Sequence, residues 1–87
     1  MYEALARKLR VLRAERALTM AQAAEGMGIT RESLSYLEGG KRRISTMTLA
    51  KAARFYEVEP AELFDLLEKD EEALVVLKEE APRVSAV

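Results

Sequence analysis

The sequence predicts an all-α protein: five helices closing one small body, with an additional C-terminal helix behind them. Two observations carry this. Apolar residues recur at helical spacing, and no stretch keeps a two-residue alternation for long. Glycine and proline are sparse, four and two in 87 residues, and helix-capping residues stand just ahead of the apolar faces.

The elements follow in order. Tyr2, Leu5, Leu9 and Leu12 line one face of a first helix, over about 2–15. Met20, Ala23, Ala24 and Met27 follow i, i+3, i+4, i+7 in a second, over 19–26. Leu34 and Leu37 mark a short third helix over 30–38. Leu49, Ala52, Ala53 and Tyr56 repeat the pattern over 45–56, and Leu63, Phe64, Leu66 and Leu67 form a fifth face over 60–68. Thr19 is an N-cap, with Gln22 completing a capping box. Thr30 and Ser45 cap the third and fourth helices. Pro60 suits the first turn of the fifth, where a missing N–H costs nothing. Leu18/Ala23, Ile29/Leu34, Ile44/Leu49 and Val58/Leu63 occupy hydrophobic-staple positions at the four entries. Gly28 ends the second helix, and Gly39 and Gly40 end the third, as left-handed cap residues. The segment DEEALVVLKEEA, residues 70–81, predicts a sixth helix with an acidic first turn and Pro82 as its stop.

Composition excludes several chemistries. With no cysteine there is no disulfide framework or thiolate metal site. With no histidine the commonest general base and metal ligand are missing. No catalytic constellation is visible, so the expectation is a non-enzyme with no cofactor and no metal. No segment has the length and apolarity of a membrane span. The first ten residues carry Glu3 and no apolar run of leader length. A soluble cytoplasmic protein is expected. The net charge of −1 hides a division: residues 1–58 sum to +5 and residues 59–87 to −6. A basic body carries an acidic tail.

The second and third helices are short and joined around Gly28, a spacing that sets two helices at a steep angle. This exposes the start of the third helix: Thr30, Arg31, Glu32 and Ser33, with Ser35 and Tyr36 on the next turn. Several of these side chains can read base edges, although any amphipathic surface helix also has a polar outer face. Directly behind comes GGKRRIS. Lys41, Arg42 and Arg43 are consecutive cations, and Ser45 opens a helix whose free N–H groups attract anions. That combination suits a phosphate backbone, while a solvated basic turn is the plain alternative. Nucleotide-loop readings fail on spacing: Arg31 stands where a third glycine is needed, and Lys41 is not followed by Ser or Thr.

The run LTMAQAAEGMGITRESLSYLEGGKRRIS resembles the helix-turn-helix core of the lambda-repressor and Cro family, also called the xenobiotic-response-element family. The likeness extends from about Leu9 to Phe64 and rests on Leu18-Thr19, Ala24, Gly28, Thr30, Ser33, Leu37-Glu38 and Gly40-Lys41. It implies a five-helix DNA-binding domain over residues 1–68, with the third helix entering the major groove of double-stranded DNA. It implies base-reading roles for Thr30, Arg31, Glu32 and Tyr36, to which exposure adds Ser35. Ser33, Lys41, Arg42 and Arg43 match or adjoin its backbone-contacting positions. Arg13 and Glu38 match a structural ion pair. Where the family often carries Gln at the start of helix two, this chain has Met20, which implies either weaker backbone affinity or substitution by Gln22 or Thr19, while Ser45 offers a backbone contact at the start of helix four. The chain's size also resembles controller proteins of restriction–modification systems. Residues 69–87 are expected to form an oligomerisation or partner-binding extension. The run Ala73, Leu74, Val75, Val76, Leu77 is more apolar than one helix face needs, and Leu74, Val75 and Leu77 are its expected interface residues. A homodimer built on them is one reading, and fold-back of Leu74 and Leu77 onto helices one and five is the other. A functional alternative to a DNA-binding regulator is an antitoxin-like module whose acidic tail binds another protein.

Overall fold

The computed structural model describes the backbone of residues 1–86 and the side chains of residues 1–75. Five helices follow one another: α1 (Glu3–Glu15), α2 (Met20–Met27), α3 (Arg31–Glu38), α4 (Thr46–Tyr56) and α5 (Pro60–Ala86). No strand occurs among the described residues.

Each apolar face read from the sequence contributes to one core. Leu9, Leu34, Leu49, Tyr56 and Leu63 are wholly buried, one or more from every helix except α2. That helix adds Ala23, Ala24 and Met27, while Met20 packs half-buried at its edge. Burying a side chain of this size stabilises by roughly 1.5–3 kcal/mol.

The helix entries form as their caps require. Thr19 and Gln22 make the reciprocal box, and Thr30 and Ser45 accept the amides of Ser33 and Thr48. Three helix exits share one geometry. Leu18, Ile29 and Val58 donate their amides five residues back to Arg13, Ala24 and Ala53. Each follows a left-handed residue: Ala17 (φ 53°), Gly28 (φ 75°) and Glu57 (φ 56°). This is a Schellman closure with its apolar residue in place. The same three apolar residues are the staples of the next helix, so one side chain fixes both the exit and the entry. After α3 the left-handed residue is Gly40 (φ 67°) alone. Gly39, expected to share that role, stays in the right-handed region at φ −84°.

Two features differ from the sequence reading. The expected sixth helix is not separate: α5 runs unbroken from Pro60 to Ala86, through Pro82. The acidic cluster that looks like a helix start does tertiary work instead. Asp70 is buried, and its carboxylate accepts the amides of Ala4 and Leu5 at 3.2 and 3.1 Å. It thereby caps α1, whose own N-cap residue, Tyr2, makes no side-chain cap bond. Glu71 pairs with Arg43, described below. The N-terminus is tied a second time, because the Tyr2 amide donates to the Gly40 carbonyl at 3.0 Å. A Cβ at Gly40 would stand 3.1 Å from the Tyr2 carbonyl oxygen, so the site needs glycine for space as well as for φ.

Candidate nucleic-acid interface

α2 and α3 meet across the Gly28 turn, and α3 lies between a fastened rear and an open front. Leu34 is wholly buried at the rear. Glu38 is only 4 % exposed, yet fully paired. Its carboxylate accepts from Arg13 Nε at 2.8 and 3.1 Å and from Arg13 Nη2 at 3.0 Å. Arg13 also donates Nη1 to the Leu18 carbonyl at 2.9 Å. The Glu38 carboxylate, chiefly through these hydrogen bonds, holds the Arg13 guanidinium above its already high ordinary pKa. Arg10 donates to the Glu38 carbonyl, placing a second cation at the C-terminal end of α3. Two arginines of α1 thus clamp the base of α3.

The front carries the candidates. Thr30, Arg31, Glu32, Ser33 and Ser35 are exposed, and Tyr36 is half-buried. Their hydroxyls are partly committed. Thr30 Oγ1 accepts the Ser33 amide at 3.0 Å and donates to Ser33 Oγ at 2.8 Å. Thr30 therefore keeps a methyl group and acceptor capacity, while Ser33 keeps its O–H proton to donate. Ser45 behaves likewise: its hydroxyl accepts the Thr48 amide at 3.1 Å and donates to Thr48 Oγ1 at 2.9 Å. The free proton at that helix start sits on Thr48. At α2, Gln22 Oε1 accepts the Thr19 amide at 2.9 Å, and Thr19 Oγ1 accepts the Gln22 amide at 3.1 Å. The Gln22 amide NH₂ and the Thr19 O–H remain available as donors.

The loop cations differ from one another. Lys41 is exposed. Arg42 lies over the Tyr36 ring, its guanidinium carbon 4.1 Å from the centroid, a cation–π contact that couples the loop to α3. Arg43 donates Nε to Glu71 Oε1 at 2.6 Å. Ile44, 2 % exposed, pins the loop to the core. One cleft is lined by Ser33, Tyr36, Arg42, Arg43, Ser45 and Thr48. It joins the flank of α3 to the loop and to the start of α4.

A family model described as a helix-turn-helix domain matches residues 4–67. The chain belongs to the helix-turn-helix domain family. Two solved structures of the clp gene regulator ClgR from Corynebacterium glutamicum are similar to it. One shares 28% identity over 79% of this chain and 90% of that one, with a TM-score of 0.66. The other shares 29% over 95% and 87%, with a TM-score of 0.67. No curated protein sequence matches the chain. The resemblance to helix-turn-helix regulators is borne out, and none of these matches bears on the finer likeness to restriction–modification controllers.

Within the helix-turn-helix frame, α2 and α3 are the defining pair. The cleft gathers five of the twelve candidate DNA-contact residues, and Arg31, Glu32 and Ser35 stand on the open face of α3. Thr19 and Gln22 sit at the start of α2. The candidate dimer residues lie elsewhere, on α5. Leu74 is half-buried against the core, and Val75 is 51% exposed. Leu77 lies outside the residues whose side chains are described. Three contributors escaped the sequence reading. Thr48 is signalled by its position three residues after the Ser45 cap. Asp70 and Glu71 carry no local signal, because their partners are 65 and 28 residues away. Among the described residues no acidic cluster could hold a metal ion, and no helix is long and apolar enough to cross a membrane.

Proposed function

We propose that this chain is a sequence-specific transcription regulator of double-stranded DNA that lays α3 in the major groove. The observation that carries the reading is the division of α3. Its rear is locked by Leu34 and the Arg13–Glu38 pair, while its open face presents Arg31, Glu32 and Ser35 with no protein partner among the described residues. Rigid support behind an open polar face is what base readout requires. Arg31 reads guanine O6 and N7 through a bidentate contact. Glu32 accepts from cytosine N4 and repels misplaced phosphate. Thr30 and Tyr36 offer apolar contact to neighbouring bases, and Ser35 offers a hydroxyl.

Lys41, Arg42, Ser33 and the start of α4 at Ser45 take one phosphate strand. Thr19 and Gln22 take the other in place of the glutamine that Met20 replaces. The neighbouring structures support the reading, since ClgR is a regulator of clp genes. A half-site is all that one α3 covers, so the chain acts as a homodimer, with the exposed Val75 of α5 on its interface. It works in the cytoplasm, on the nucleoid.

Selection of bound duplexes from a random pool, followed by salt titrations, tests this. Arg31→Ala costs about 1–3 kcal/mol at the selected site and relaxes preference at one base pair. Lys41→Ala weakens selected and random duplexes alike and makes the salt slope shallower by about one unit. A pool with no enriched sequence contradicts the reading. So does an Arg31→Ala loss that is equal on selected and random DNA.

A further inference from the structure

Arg43 is the last of three consecutive loop cations, yet its surroundings are unlike those of Lys41 or Arg42. It lines a groove between the start of α4 and α5 together with Thr46, Phe64, Glu68, Glu71 and Glu72. Three carboxylates of α5 therefore share a groove with one guanidinium. Glu71 makes the direct bond, Oε1 to Arg43 Nε at 2.6 Å. Both side chains stay partly in water, at 54% and 39% exposure. The Arg43 Nη atoms make no hydrogen bond among the described residues, so the partly exposed guanidinium keeps donors to offer while Glu71 already offsets its charge.

We infer that Glu71 sets DNA affinity by neutralising Arg43, so that α5 acts as a built-in competitor of the phosphate backbone. This rests on the DNA-binding reading above. The physical basis is counterion release. A free cation that meets a phosphate releases the counterion condensed there. A cation already paired with a carboxylate brings that negative charge to the backbone with it, so the pair adds almost no net positive charge to displace counterions. The net release from Arg43 is close to zero. Glu68 and Glu72 line the same groove and act in the same direction. An exposed ion pair is weak enough for phosphate to displace it, so the contact lowers affinity without abolishing it. This pairing also accounts for an acidic helix beside a DNA-facing loop: Glu71 limits non-specific attraction, and the exposed face of α3 is left to discriminate.

The test is a double-mutant cycle on the full chain, with wild type, Glu71→Gln, Arg43→Gln and the double variant titrated against a short mixed-sequence duplex over a range of salt. Glu71→Gln is expected to tighten binding roughly two- to fivefold at low salt and to steepen the salt slope by about one unit. Arg43→Gln alone is expected to leave the slope nearly unchanged, and in the Glu71→Gln background to cancel the whole gain. Glu71→Gln with an unchanged slope overturns the inference. So does a loss of affinity, which would make Glu71 a residue that orients Arg43 toward DNA. Lys41→Ala separates the two levels. If it flattens the slope while the cycle shows no coupling, the role of Glu71 alone fails. If wild type binds no duplex, the DNA reading fails with it.

Discussion

Glu38 and Tyr56 are the two buried polar residues that decide most at the scale of single side chains. Glu38 is buried and satisfied: one guanidinium supplies three bonds to its carboxylate. Glu38→Ala leaves Arg13 without its partner and frees the base of α3. The expected loss is about 3 kcal/mol, the lower end for breaking a buried pair because Arg13 keeps some solvent. Chemical denaturation measures it, and a loss of DNA affinity with no loss of stability would show that Glu38 contacts DNA. Tyr56 is the opposite case. Its ring is wholly buried, with Arg16 5.2 Å from the ring centroid, but its hydroxyl has no partner. Burial first, and then the Glu38 carboxylate, raise its pKa above the ordinary phenol value. The folded pKa thus exceeds the unfolded one. The stability this contributes is complete below about pH 10 and is lost as pH rises through the folded value. Tyr56→Phe removes an unsatisfied hydroxyl, so it raises stability by about 1 kcal/mol at neutral pH and flattens the alkaline limb. A destabilised Phe variant would mean the hydroxyl has a partner. The Arg13–Glu38 pair was legible through the family resemblance. The hydroxyl was not, because a helical stripe shows that Tyr56 points inward but not what its far end meets.

Among the elements, α1 to α4 were legible because their signals are local. A cap three residues from its amide, or a staple five residues from its mate, lies within one window of sequence. Gly26 lay beyond such signals: it sits inside α2, where a Cβ would fall 2.1 Å from the Phe55 ring, a contact set by packing against α4. The boundary between helices five and six failed for the same reason. Acidic residues at 70–72 look like a first turn, whereas Asp70 serves the first turn of α1 instead. Asp70→Ala is expected to destabilise by about 1–2 kcal/mol, with faster hydrogen exchange at the amides of Ala4 and Leu5. Unchanged exchange at those two amides would contradict the cap. Because Asp70 and Glu71 are adjacent, this cap also sets the register that brings Glu71 to Arg43.

At the scale of the whole molecule, one long helix gives the chain its shape and its charge asymmetry. The extents are 51 × 24 × 21 Å, and α5 alone spans 27 residues, about 40 Å at the usual rise. The division into a +5 body and a −6 tail was plain from composition, but which acids face which cations was not. The dimer reading is narrowed by what α5 does. Leu74 packs on its own chain's core, so Val75 is the described residue best placed to meet a second copy.

Methylation interference on the selected duplex tests the central claim most directly. Methyl groups at guanine N7 stand in the major groove, where the proposed reading lays α3. Methylation is expected to block binding at guanines in two patches about one helical turn apart, one for each α3 of a dimer. Full binding to duplex methylated at every guanine N7 of a guanine-containing site would contradict the account.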